Sequence, residues 1–282
     1  MNYQWYPGHM TKARRMMQED IKLIDLVIEL VDARAPMSSR NPDIDELGKN
    51  KARIVLLNKS DLADPIINKR WIQYFEEHNI YALEINARNG AGLKNIQNVV
   101  NKACHEKIER DRRRGILNRP VRAMVVGIPN VGKSTFINSY AGRGCAKTGN
   151  KPGVTKGKQW IKLNKSLELL DTPGILWPKF EDQLIGMKLA FIGSINDEIL
   201  YSEELASDFL EYIEKRYPNA VKEKYQLTDV ENKKTYEILE QIALIRRCLL
   251  KDSQPDIRKA SDILMDDFRS GKLGRMSLEQ PE

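Results

Sequence analysis

Residues 127–134 read GIPNVGKS, which fits the phosphate-loop pattern G-x-x-x-x-G-K-[ST]. Gly127 and Gly132 leave the backbone free to wrap an anion, with its N–H groups turned toward phosphate oxygens. Lys133 is placed to bridge β- and γ-phosphates, and the Ser134 hydroxyl to ligate Mg²⁺. Asn130, Val131 and Thr135 complete the cradle. A second stretch, NKSD at 58–61, has the chemistry of a guanine reader. Asp61 can accept hydrogen bonds from guanine N1–H and the exocyclic N2–H₂. Adenine offers neither donor there, so a carboxylate committed to that edge is left unpaired. The alkyl stem of Lys59 can cover a purine face, and Asn58 can tie this loop to the phosphate loop.

Two weaker stretches complete the set. In NARNG (86–90), a backbone N–H near Ala87, beside Asn86, could contact guanine O6. In DTPG (171–174), Asp171 can hold Mg²⁺ through water and the Gly174 N–H can reach a γ-phosphate. Between the phosphate loop and DTPG runs KTGNKPGVT (147–155). Thr155 is the residue expected to complete the Mg²⁺ shell, with Thr148 its rival in the same loop.

These stretches sit where an α/β sheet would put them. Apolar runs at 25–33, 52–58, 80–86, 121–127 and 166–171 read as buried parallel strands, and 158–163, which alternates, as an edge strand. Helical stretches lie between them, including one expected over 93–114. Strand and helix in turn imply a mostly parallel doubly wound sheet, which places ligand loops at the carboxyl ends of its strands. After residue 178 the strand signals stop and apolar residues recur at helical spacing. The expected division is 1–178 for the sheet domain and 179–282 for a smaller all-helical domain. There are no internal repeats and no low-complexity segments.

The order of the loops is unusual. The guanine reader precedes the phosphate loop, the reverse of an ordinary P-loop GTPase. The series NKSD, NARN, P-loop, Thr155, DTPG is a rotation of that order, so the same sheet forms if the old termini are joined and the chain is opened elsewhere. The reading is a circularly permuted P-loop GTPase domain, with residues 93–120 as the joining segment.

Composition agrees with this. The chain has 282 residues, 41% hydrophobic and 30% charged, with a net charge of +7. Residues 1–178 carry a net +12 and residues 179–282 a net −5, so the first half is the candidate nucleic-acid surface. No apolar run approaches the ~18–20 residues of a membrane span. The N-terminus carries no signal-peptide core, and Cys104, Cys145 and Cys248 lack metal-site spacing. A cytoplasmic monomer with reduced thiols is expected.

WYPGHM near the N-terminus, DARAP (32–36), NKSD, GIPNVGKST, PGVT and DTPGILWPK are similar, in order and across the whole chain, to the ribosome biogenesis GTPase A (YlqF) family. The resemblance implies a permuted Ras-like domain followed by a helical, RNA-contacting domain, acting in late assembly of the large (50S) ribosomal subunit. It implies GTP and GDP as ligands, Mg²⁺ as cofactor, and hydrolysis stimulated by the large subunit. In Ras-like enzymes a glutamine after DTxG orients water, but here Ile175 and Leu176 follow, and neither can. The resemblance supplies His9 for that role beside Lys133 and Thr155. Asn130 resembles the asparagine with which potassium-activated GTPases hold K⁺, so K⁺ is a second expected cofactor.

Basic runs at 9–17 and 107–122 offer phosphate contacts. Local clusters in the helical half, Lys222/Lys224, Arg246/Arg247/Lys251, Arg258/Lys259 and Arg269/Lys272/Arg275, offer more. Two alternatives remain: a GTPase acting on another RNA, such as a partner in tRNA modification, and a nucleotide-gated RNA-binding module whose hydrolysis is incidental.

Overall fold

The computed structural model describes residues 15, 17–117, 119–142, 144, 159–171, 182–195, 200–228, 230 and 233–281. Among the described residues six strands form one sheet: β1 (Leu26–Asp32), β2 (Ala52–Asn58), β3 (Tyr81–Glu84), β4 (Val121–Val126), β5 (Gln159–Lys162) and β6 (Leu167–Asp171). Their order across the sheet is β3-β2-β1-β4-β6-β5. Every neighbouring pair is parallel except β5 with β6, so β5, within the alternating stretch, is an edge strand that runs antiparallel.

Alternation along the strands supplies a core on each face. Leu26, Ile28 and Leu30 of β1, Ile54 and Leu56 of β2, and Val121, Ala123 and Val125 of β4 pack with the Ile96–Ala103 and Lys133–Ala141 helices. On the opposite face, Val31, Val55 and Leu57 meet Trp71 and Phe75 of the Pro65–Glu77 helix. Val27, Met124 and Val126 meet Ile44 of the short Asp43–Leu47 helix on that same side. Pro65 at the first helical position and Asp64, which accepts from the Ile66 and Ile67 N–H groups, start the Pro65–Glu77 helix directly after the NKSD loop.

The helix expected over 93–114 is instead three pieces: a 3₁₀ turn (Leu93–Asn95), the Ile96–Ala103 helix and the His105–Arg113 helix. The break falls at buried Cys104, whose ψ of 14° leaves helical values. The apolar piece follows the sheet, while HEKIERDRR, almost without apolar residues, remains at the surface.

Beyond the sheet come helices Gln183–Phe191, Ser202–Glu214, Ala220–Tyr225, Thr235–Ile245 and Ile257–Arg269. Phe191, Phe209 and Phe268 are fully buried among them and belong to the same apolar cluster as one face of the sheet. The last residues do not stay with these helices. Residues 275–279 run back along the carboxyl end of the sheet, between the helical half and the NKSD loop.

Candidate nucleotide site

The chain order reverses between β1 and β4, so the loops leaving β2 and β4 flank β1 at the carboxyl edge. This is the position at which open α/β sheets bind ligands. The NKSD loop leaves β2 and the phosphate loop leaves β4. Asn58, buried at the end of β2, joins them: its Nδ2 donates to Val131 O at 2.7 Å. Its Oδ1 accepts from Ala87 N at 2.9 Å, which brings in the loop after β3. Gly132 permits this approach, since its φ is +95° and a Cβ there would lie 2.5 Å from Asn58 Nδ2. Gly127 is equally constrained, because a Cβ would lie 2.8 Å from Leu30 O.

The Ala87 N–H, expected to face guanine O6, therefore donates to Asn58. A buried amide oxygen without a donor would be costly, and Ala87 is the donor in reach. Asn86 shapes its own loop, its Oδ1 accepting from the Arg88 and Asn89 N–H groups at 2.9 and 3.2 Å.

Lys59, with φ of +57°, turns its ammonium away from solvent. Nζ donates to Asn130 O at 2.8 Å and pairs with Asp32 Oδ2 at 2.9 Å, which fixes the course of the alkyl stem. Asp32 ends β1 and is fully buried. Arg34 clasps it through Nε to Oδ1 (2.9 Å) and Nη2 to Oδ2 (2.8 Å). Burial alone would raise the Asp32 pKa, but Arg34 and Lys59 outweigh it and hold the carboxyl well below the ordinary range. Arg34 in turn lies over the Phe268 ring at 5.1 Å, so β1, the guanine reader and the helical half share one buried charge cluster.

Asp61 is exposed, and among the described residues no donor is bonded to its carboxylate. At the other end of the site, buried Lys133 Nζ pairs with Asp171 Oδ1 at 2.9 Å. Ser134 and Thr135 follow in the first turn of the Lys133–Ala141 helix. The Asn130 side chain donates through Nδ2 to Gly193 O at 2.8 Å, a contact from the phosphate loop to the helical half. His9, Thr148, Thr155, Gly174, Ile175 and Leu176 lie outside the described residues.

Part of the basic surface expected in the helical half is committed inside the molecule. Arg269 donates to Phe191 O and Ala190 O at 3.0 and 2.8 Å. Arg275 donates to Ser60 O and Ala63 O, and Lys272 pairs with Asp267 at 3.2 Å. Backbone carbonyls are the partners of Arg269 and Arg275, while Lys272, largely exposed, meets a carboxylate; a linear charge count reveals neither. The roles of Asp32, Arg34 and Arg275 were likewise not legible in the spacing. The nearest signal was the alternation of buried Met276 and Leu278 in an otherwise polar tail.

A phosphate loop bonded to an NKSD loop that precedes it in the chain, on this sheet, defines a circularly permuted P-loop GTPase. A family model described as a 50S ribosome-binding GTPase matches residues 122–242. Over all 282 residues the chain is 50% identical to the ribosome biogenesis GTPase A of Bacillus cereus, covering 95% of that protein. It is 31% identical to that of Thermotoga maritima over 278 residues, 99% of this chain and 94% of the other. Among solved structures it is similar to a GDP-bound YlqF (27% identity, TM-score 0.68, 95% of this chain and 99% of that one). It is similar also to the GNP-bound YlqF from T. maritima (29% identity, TM-score 0.66, 96% and 99%). The chain belongs to the ribosome biogenesis GTPase A family and is a GTP-hydrolysing enzyme of ribosome biogenesis.

The Asp32 cluster makes a direct prediction. Because its pKa is depressed in the folded protein, Asp32 stabilises the fold at pH above the ordinary carboxylate range. That contribution is lost as pH falls toward the depressed value. Asp32→Asn strands the buried Arg34 and removes the charge partner of the partly buried Lys59. It is expected to lower the unfolding free energy by about 3–5 kcal/mol at neutral pH and to flatten the fall of stability below about pH 4, both read from urea midpoints against pH. A midpoint equal to the parent's at neutral pH would contradict the assignment.

Proposed function

We propose that the chain acts in late assembly of the large (50S) ribosomal subunit, binding its rRNA in a nucleotide-dependent way and hydrolysing GTP once the subunit is engaged. In this reading residues 1–178 are the GTPase domain and 179–282 a helical domain that shares the RNA contact. The observation that carries it is the bond from Asn130 in the phosphate loop to Gly193 O in the helical half. A residue of the phosphate cradle is thereby a ligand of the other domain, so occupancy of the cradle can bias how the helical half sits.

The base is read by Asp61, with Lys59 covering the purine and Asn58 holding the loops together. The phosphate end is organised by the Lys133–Asp171 pair. A buried lysine and carboxylate that neutralise each other suit a metal–triphosphate, which brings an anion for Lys133 and a cation for Asp171 in one step. Mg²⁺ would be held by Ser134, by Asp171 through water, and by Thr155, and would supply neutralising positive charge to the phosphates. The Gly174 N–H meets the γ-phosphate. His9 positions the attacking water, a role that Ile175 cannot fill. Asn130, whose Nδ2 is committed to Gly193, has Oδ1 left with which it would hold K⁺, and the ion would add positive charge at the phosphates.

For RNA, the surface around the His105–Arg113 helix is the main candidate. Arg110, Arg112, Arg113, Arg114 and Arg119 are exposed there, beside the exposed Ile116 and Leu117. Lys107, within the same run, is committed to Asp25 and Asp111.

The test is steady-state GTP hydrolysis in K⁺ and in Na⁺, alone and with purified large or small subunits. Turnover is expected to rise only with large subunits, to be higher in K⁺, and to lose the stimulation in His9→Ala while GTP affinity is kept. Binding to large subunits without acceleration would favour a nucleotide-gated RNA-binding module. No response to either subunit would leave ribosome biogenesis without the large-subunit step.

A further inference from the structure

The five residues Ser60–Asp64 form the frame around Asp61, and residues 275–279, a strap across the sheet's carboxyl end, hold that frame at four points. Arg275 Nε donates to Ala63 O at 2.8 Å and its Nη2 to Ser60 O at 2.8 Å. Met276 N donates to Leu62 O at 2.9 Å, and Ser277 Oγ accepts from Asp64 N at 3.1 Å. Each residue of the frame except Asp61 thus has a main-chain group bonded to the strap. Gly271, just before it, packs so closely that a Cβ would meet Leu62 Cδ2 at 2.7 Å.

The strap is itself fixed on both sides. Leu278 N donates to Arg34 O at 2.7 Å, behind the Asp32 cluster. The buried Glu279 carboxylate accepts from Ser38 N (3.0 Å) and Ser38 Oγ (2.7 Å), and from Met37 N, capping the loop that follows DARAP. From the helical half, Lys188 Nζ pairs with Glu279 at 3.0 Å and Tyr217 OH accepts from Ser277 N at 2.8 Å. Tyr212 OH donates to Leu278 O.

We propose that Arg275, with the strap it anchors, is a positioning residue for guanine recognition, so that the base subsite is completed by the C-terminal end of the chain. The inference rests on the reading that Asp61 pairs with the guanine edge. A carboxylate on an exposed loop accepts two bonds from N1–H and N2–H₂ only if its backbone is held in one place. Ordering that loop at the moment of binding would reduce affinity. The strap removes that cost in advance. It differs from a purely structural brace in being base-selective. Misplacing Asp61 costs most for a base that uses both of its bonds, and hypoxanthine, lacking the 2-amino group, uses one.

The experiment is equilibrium binding of GDP and of inosine diphosphate to the full chain, with Arg275→Ala, Arg275→Lys and Asp61→Asn, alongside nucleotide-free melting. Arg275→Ala is expected to weaken GDP about tenfold and inosine diphosphate less, so that discrimination between them narrows. Arg275→Lys should recover part of it, since an ammonium reaches one of the two carbonyls. GDP and inosine diphosphate affinities equal to the parent's, or an equal loss for both nucleotides, would overturn the proposal and leave the strap as a brace. If Arg275→Ala does not fold, the Lys variant carries the same comparison. Asp61→Asn separates the two readings. If it leaves GDP affinity unchanged, the guanine assignment itself fails. If it weakens GDP while the Arg275 variants do not, only the strap's role fails.

Discussion

The site depends on one buried amide. Asn58 can be satisfied only if Val131 O and Ala87 N come to it together, and leaving either side of a buried amide unpaired costs about 1–3 kcal/mol. That requirement brings together loops from β2, β4 and β3. All three leave the same edge of the sheet, so the amide is indifferent to which loop comes first along the chain. This is why the guanine reader can precede the phosphate loop and still meet it. Gly132 is the complementary constraint, since any side chain there would occupy the space of the Asn58 amide.

The rotated order has a second consequence. The strand between the two ligand loops is β1, near the start of the chain, and it ends in Asp32. Its buried carboxylate needs cations, and it draws Lys59 from the guanine side and Arg34 toward Phe268 on the helical side. The Asn130–Gly193 bond and the strap at 275–279 add two further links. The helical half therefore touches the nucleotide loops at the phosphate cradle, at the end of β1 and at the base frame.

Much of this was legible from residue types, and the rest was not, for physical reasons. Strand positions followed from apolar runs such as DLVIELVDA, because a parallel strand covered on both faces must be apolar nearly throughout. The edge strand at 159–162 followed from alternation, but its antiparallel direction did not. NKSD and GIPNVGKS were legible because base and phosphate chemistry tolerates few residue types. The break at Cys104 was not, since nothing in an apolar residue's identity says that it ends one helix and begins another. Nor were the long-range partners of Arg34, Arg269 and Arg275. An arginine bound to distant carbonyls has the same letter as one that faces RNA, and only the folded chain tells them apart.

The most direct measurement of the account is the affinity of Asn58→Ala for GDP, with far-UV circular dichroism as the control for folding. If one amide holds the three loops in nucleotide-binding register, the substitution should weaken GDP by roughly a hundredfold, as expected when two buried hydrogen bonds are lost, while the α/β spectrum is kept. A folded variant that binds GDP as the parent does would contradict the claim that Asn58 assembles the site.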